Sequence, residues 1–221
     1  HYAYHIKAGK EIFAAEGAFG QYLICFRDFP VAIGITAGAR EYLAADICLK
    51  YMKEAISEPC NEEQLEAAEK ALCAKLNSLS LVQPEGTFRT ARKEAAKLFD
   101  RKILFTENPR KVESVVFTKE GYRIKIEAVI NGEQKTLYAS YKAWKRNNLY
   151  PDDFTKKYQS VAYAMDAEAL YLSVGLINTS YKEEYSLWVN SEDKVIATWR
   201  PNVTYLPEEP DMVWKFTGTF E

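Results

Sequence analysis

The spacing of apolar residues changes once along the chain, near Asn108-Pro109. Before that point it follows a helical period, and after it a period of two. In residues 10–27, Ile12, Ala15, Phe19, Tyr22 and Phe26 fall on one helical stripe, so the pattern predicts an amphipathic helix with Gly17 and Gly20 as points of close helix–helix approach. Asp28-Phe29-Pro30 ends it, because a residue before proline is pushed out of the helical region. A second helix is expected over residues 36–57, with Ala44, Cys48, Met52 and Ala55 on its stripe and Glu58-Pro59 at its end. Asn61 caps the next, Gln64 completes a capping box, and Glu62 and Glu63 suit the helix dipole. Its expected buried stripe is Leu65, Ala68, Leu72, Leu76 and Leu79. The short connection predicts an antiparallel pair that brings Cys48 close to Cys73. A fourth helix is expected from a cap at Thr87 to about Phe99, with Phe88, Ala91, Ala95 and Leu98 inward. Arg89, Lys93, Lys97 and Arg101 recur every four residues as a basic stripe beside them.

After the proline, residues 112–118 read as a strand leading through Glu120-Gly121 into a hairpin. Asn131-Gly132 is the strongest short hairpin signal, since both central positions of a type I′ turn need φ > 0. Pairing outward from it sets Ile126 opposite Leu137, Ile124 opposite Ala139 and Tyr122 opposite Tyr141 on one face. Arg123, Lys125 and Glu127 face Ser140, Tyr138 and Thr136 on the other. A slip of one residue would turn the apolar set to solvent, so the register is well specified. Further strands are expected at about 159–165, 169–178, 185–189, 194–199 and 212–220. Residues 190–193 form a turn that leaves Trp188 and Val195 nearly opposite, and a proline-bounded loop covers 206–210.

Helices first and strands afterwards predict an α+β fold. An N-terminal helical bundle of three to four helices (1–108) would precede a C-terminal antiparallel β-sheet or open sandwich (109–221). The two parts would form one integrated unit or two closely packed subdomains.

The chain's 221 residues suffice for a sizeable core, and 48% hydrophobic with 27% charged residues is an ordinary globular balance. A formal net charge of −2 gives no general argument for nucleic acid, but residues 86–111 are basic and 166–221 acidic. No uncharged run, residues 29–39 included, reaches the roughly 20 residues of a spanning helix. Cys25, Cys48, Cys60 and Cys73 form no C-x-x-C pair, and their spacings match no zinc motif. They read as buried thiols, which favours the cytoplasm over secretion, whereas the sequons at Asn178 and Asn202 matter only after export. The first residue is His1 rather than Met, which suggests that a leader, tag or other segment was removed upstream.

With His1 and His5 as the only histidines, Cys–His and Ser-His-Asp catalysis lack a base, and a terminal copper site lacks further ligands. No phosphate-binding loop occurs, and no cofactor or metal is expected. Glu127, Asp152, Asp153, Asp166 and Glu168 leave a carboxylate pair as the remaining enzymatic alternative. Aromatic residues make up 14% of the chain and concentrate in the strands. The leading expectation is therefore a non-enzymatic binding or assembly protein. Its aromatic sheet, through Trp144, Trp188, Trp199 and Trp214, or its acidic C-terminal face would engage a protein partner or a second copy. The alternative is nucleic-acid binding through Arg89, Lys93, Lys97, Arg101, Lys145 and Arg146.

Overall fold

The structure is a computed structural model that describes residues 5–39, 44–57, 61–87, 93–150, 152–153, 157–203 and 212–221. The chain divides into two compact units, His1–Val82 and Gln83–Glu221.

The first unit opens with strands rather than helices. β1 (His5–Ala8), β2 (Ile12–Gly17), β3 (Gln21–Phe26) and β4 (Ala32–Ile35) form a four-stranded antiparallel sheet in chain order. The segment read as a helix over residues 10–27 also carries Tyr22, Ile24 and Phe26 at a period of two, and those three are buried. What decides between the readings is the turn: Phe19 and Gly20 both have positive φ, 64° and 86°, where glycine costs least. α1 (Ala44–Ser57) places Leu49 and Met52 against this small core. α2 (Glu62–Ser78) has the expected capping box, with the Gln64 N–H donating to Asn61 at 2.8 Å and the Asn61 N–H donating to Gln64 at 3.1 Å. Its leucine stripe is not buried, however: Leu65, Leu72 and Leu76 are all exposed. The expected N-terminal helical bundle is thus replaced by a β-sheet with two helices.

The first described element of the second unit is α3 (Lys93–Ala96); residues 88–92 of the helix expected from Thr87 to about Phe99 lie outside the described residues, and Lys97–Phe99 are not helical. Next come β5 (Lys102–Phe105), β6 (Val112–Glu120), β7 (Arg123–Ile130), β8 (Glu133–Tyr141) and β9 (Lys145–Asn148). β10 (Tyr158–Met165), β11 (Ala169–Leu176), β12 (Lys182–Val189), β13 (Val195–Pro201) and β14 (Trp214–Phe220) complete it. The hairpin of β7 and β8 has the register read from sequence, with Ile126 opposite Leu137 and Ile124 opposite Ala139, and φ of 52° and 77° at Asn131 and Gly132.

The sheet is neither open nor purely antiparallel. β11 pairs with β10 as well as β12, which closes nine strands into a mixed barrel. The closing contact between β8 and β10 is parallel and short, Ser140 with Ala162 and Tyr141 with Tyr163. Beyond it the two strands part and β9 fills the gap, pairing with β10 from Tyr158 to Val161. Asn147 fastens the seam: its carboxamide accepts from the Tyr138 N–H at 2.8 Å and donates to the Tyr138 carbonyl at 3.0 Å. Closure removes the open edges that a long antiparallel sheet would present. It was invisible to local pattern reading, because nothing in a strand's alternation says whether its first and last neighbours meet. Among the described residues no helix is long and apolar enough to cross a membrane.

Candidate functional site

Strand alternation sends every second side chain into the barrel, and the two ends of that interior differ. At the end closed by α3, Leu98, Ile103, Ile124, Tyr163, Met165, Leu170 and Val195 are each less than 2% exposed. The Ala95 N–H donates to the Ala167 carbonyl at 3.3 Å, which holds α3 over the β10–β11 turn, and the Lys119 amine donates to the buried Tyr163 hydroxyl. The opposite end is bounded by the Asn131-Gly132 turn, the β5–β6 loop with Arg110, and Leu149 and Tyr150 after β9.

Below that second end lies a cavity of about 130 Å³, walled by Val115, Ala128, Leu137, Val161, Leu172, Val174, Leu187, Ala197 and Phe216 among others. Five side chains with polar atoms also line it: Arg110, Tyr150, Gln159, Glu183 and Tyr185. An Arg110 Nη2 atom lies 3.0 Å from a Glu183 carboxylate oxygen, with Glu183 only 9% exposed. The Tyr185 hydroxyl donates to Glu183 at 2.7 Å, and Arg110 Nε makes a long 3.4 Å contact to that hydroxyl. The guanidinium also sits 5.4 Å from the Trp199 ring centre. Burial works against the Arg110 charge, but the oxygens of Tyr185 and Glu183 outweigh it and raise its pKa above the ordinary value. Burial first, and Glu183 second, push the Tyr185 phenol well above its ordinary value, so it serves as a neutral donor.

Two further polar groups lie at this end. Trp199 Nε1 is buried with no hydrogen-bond partner. The Gln159 side chain, on a residue only 8% exposed, lines the cavity.

The residues singled out from sequence do not converge on one surface. Trp199 and Trp214 stack at 4.4 Å, with Trp199 packed against the barrel core. Trp188 has the Lys215 amine 5.9 Å from its ring centre, and Trp144 lies in the β8–β9 connection. Among the described residues the tryptophans therefore share no open sheet face, because the sheet closes into a barrel with Trp199 packed against its core. The basic stripe also fails to form on one helix. Arg89 lies outside the described residues, and α3 carries only Lys93 of the set. Lys97 pairs with Glu94 at 2.6 Å, and Arg101 lies 3.8 Å from Asp193 with its guanidinium 3.5 Å over the Phe220 ring. Lys145 and Arg146 sit on β9, where Arg146 covers Tyr158 at 3.8 Å. Nor do the carboxylates form a catalytic pair: Glu127 is paired with Lys125 at 2.9 Å, and Asp166 accepts N–H donors of its own turn. Among the described residues no group of His, Cys, Asp and Glu could hold a metal ion. Cys25 and Cys73 are free thiols, Cys73 exposed rather than buried, whereas Cys60 and the Cys48 side chain lie outside what is described.

Arg110, Gln159 and Glu183 were missed in the sequence, although two of them left a signal, whereas Tyr185 belongs to the aromatic residues that concentrate in the strands. Glu183 interrupts the apolar phase Tyr185, Leu187, Val189 on β12, and Gln159 interrupts Val161, Tyr163, Met165 on β10. A polar residue in the inward phase of an otherwise apolar strand marks a polar spot inside.

The unit is thus a closed β-barrel with an internal, mostly apolar cavity and one polar cluster. No protein family and no curated protein matches the chain. Solved structures do resemble it. Apo lipid binding protein 8 of Caenorhabditis elegans aligns at 7% identity and a TM-score of 0.45, over 59% of this chain and 100% of its own. The fatty-acid-binding protein of Manduca sexta aligns at 10% identity and a TM-score of 0.40, over 55% of this chain and 98% of its own.

Proposed function

We propose that the barrel binds a small apolar molecule in its cavity. The observation that carries this reading is the cavity itself, about 130 Å³ of space walled by apolar side chains in a barrel whose other end is filled. An apolar cavity of roughly 150 Å³ admits benzene, so a single ring or a short alkyl chain sets the scale of the occupant. The expected macromolecular partner is replaced by a molecule held inside the wall.

Ligand-detected NMR with toluene tests the reading. The wild-type protein should bind it, and Ala128→Phe, which projects a ring into the void from a wall position, should weaken binding more than about tenfold while the protein stays folded. Absence of toluene binding, or equal binding by a folded Ala128→Phe protein, would overturn it.

A further inference from the structure

From the polar cluster in the cavity we infer the chemical class of the ligand: an uncharged apolar molecule carrying a hydrogen-bond-accepting oxygen, an alcohol or carbonyl compound rather than a carboxylate. This inference rests on the cavity-binding reading above.

The argument begins with the charge balance. Arg110 is the cation among the cavity-lining side chains, and Glu183 already neutralises it at 3.0 Å. A carboxylate ligand would have two ways to reach the guanidinium. It could displace Glu183, leaving a residue 9% exposed with a charge and no counter-ion, or it could share the guanidinium and set two anions against one cation. Either arrangement is unfavourable, although Arg110 is itself 34% exposed and solvent moderates the penalty. Tyr185 offers no escape, because its hydroxyl proton is committed to Glu183 at 2.7 Å.

The remaining polar groups have the opposite character. A guanidinium has five N–H donors, and Glu183 and the long contact to Tyr185 leave some of them free. Trp199 Nε1, buried beside Arg110, is a donor without an acceptor. The Gln159 carboxamide, which lines the cavity, both donates and accepts. By register, Gln159 lies one inward step from Val161, whose row continues through Val174 to Glu183, so the carboxamide and the ion pair belong to the same end of the barrel. A neutral oxygen in the cavity can accept from Arg110 or from the Gln159 amide without disturbing the ion pair.

Four one-ring probes of matched size separate the possibilities: toluene, benzyl alcohol, benzaldehyde and benzoate, titrated by calorimetry or ligand-detected NMR into the intact protein near pH 7. Benzyl alcohol or benzaldehyde should bind at least about tenfold more tightly than toluene, and more than tenfold more tightly than benzoate. Glu183→Gln, which keeps the shape but frees the Arg110 charge, should narrow or invert the gap between benzoate and benzyl alcohol. Benzoate binding as tightly as the neutral probes to the wild-type protein would overturn the inference and leave the cavity reading standing. So would equal binding of toluene and benzyl alcohol. Binding of none of the four would remove the cavity reading and the inference with it. The comparison of probes on the wild-type chain decides the matter even if Glu183→Gln fails to fold.

Discussion

The two ends of the barrel are built from the same strands, yet one is filled and the other hollow. At the α3 end, inward side chains are large and meet a plug: Leu98 is fully buried, Phe99 packs near Phe117 with ring centres 6.2 Å apart, and Ile103 and Tyr163 are also fully buried. At the other end the inward positions include Ala128 and Ala197, whose short side chains leave space, and the charged pair of Arg110 and Glu183, which burial alone would not favour. Interior density therefore separates two tasks. The filled end supplies cohesion through apolar burial, and the hollow end gives up some of that cohesion for a polar-lined space.

Large-to-small substitutions at both ends put this contrast to its strongest test. Leu98→Ala at the plug should cost about 3 kcal/mol, measured by urea unfolding, because a fully buried leucine loses its transfer energy and leaves a new void. Leu137→Ala at the cavity wall should cost less, about 2 kcal/mol, since that side chain already faces open space. It should also enlarge the cavity enough to admit a two-ring compound that the wild-type protein rejects. Equal costs at the two sites would mean that the hollow end is no looser than the plug.

The seam between β8 and β10 comes next in expected size. Replacing Asn147 with Ala removes the carboxamide that serves both the N–H and the carbonyl of Tyr138 and also donates to Lys145 at 2.9 Å. Backbone groups stranded at a position only 9% exposed should cost about 2 kcal/mol. Hydrogen exchange should locate the loss: the Tyr138 amide should exchange faster while amides of β12 and β13, remote from the seam, change little.

These contrasts also explain what could be read in the residues beforehand. The β7–β8 register was legible because Asn131-Gly132 and a strict alternation of apolar and polar side chains are local signals, and the Asn61–Gln64 capping box was legible for the same reason. Residues 10–27 were not, since apolar positions such as Ile12, Tyr22 and Phe26 fit either period and the Phe19-Gly20 turn decides the matter. Barrel closure was not legible because it depends on β10 meeting both β8 and β11, a contact between elements rather than within one. Once closure is known, the polar intrusions Glu183 and Gln159 become readable as a site. Arg110 does not, because it comes from a loop where alternation carries no meaning.

The smallest effect belongs to the turn beneath the plug. Asp166 accepts the N–H groups of Glu168 and Ala169 at 2.8 and 2.7 Å, and the Tyr171 hydroxyl donates to its other oxygen at 2.6 Å. Burial would raise its pKa, but these donors, Tyr171 foremost, outweigh burial and hold it below the ordinary aspartate value. Burial and the bond to Asp166 push the Tyr171 phenol up to about 12, so it remains a donor throughout the neutral range. A carboxyl whose pKa is lowered by folding stabilises the protein above its unfolded value, about 3.9, and that contribution fades as the pH falls through the lowered folded value. Because the group is largely solvated, Asp166→Asn should cost no more than about 1 kcal/mol near neutral pH. Urea unfolding of both proteins from pH 7 down to pH 3 should show a constant difference above about pH 5 that shrinks below about pH 4. A difference that grew on acidification would mean that the carboxylate strains the turn, and that α3 is held over it by the Ala95–Ala167 hydrogen bond and by the buried Leu98 that follows it instead.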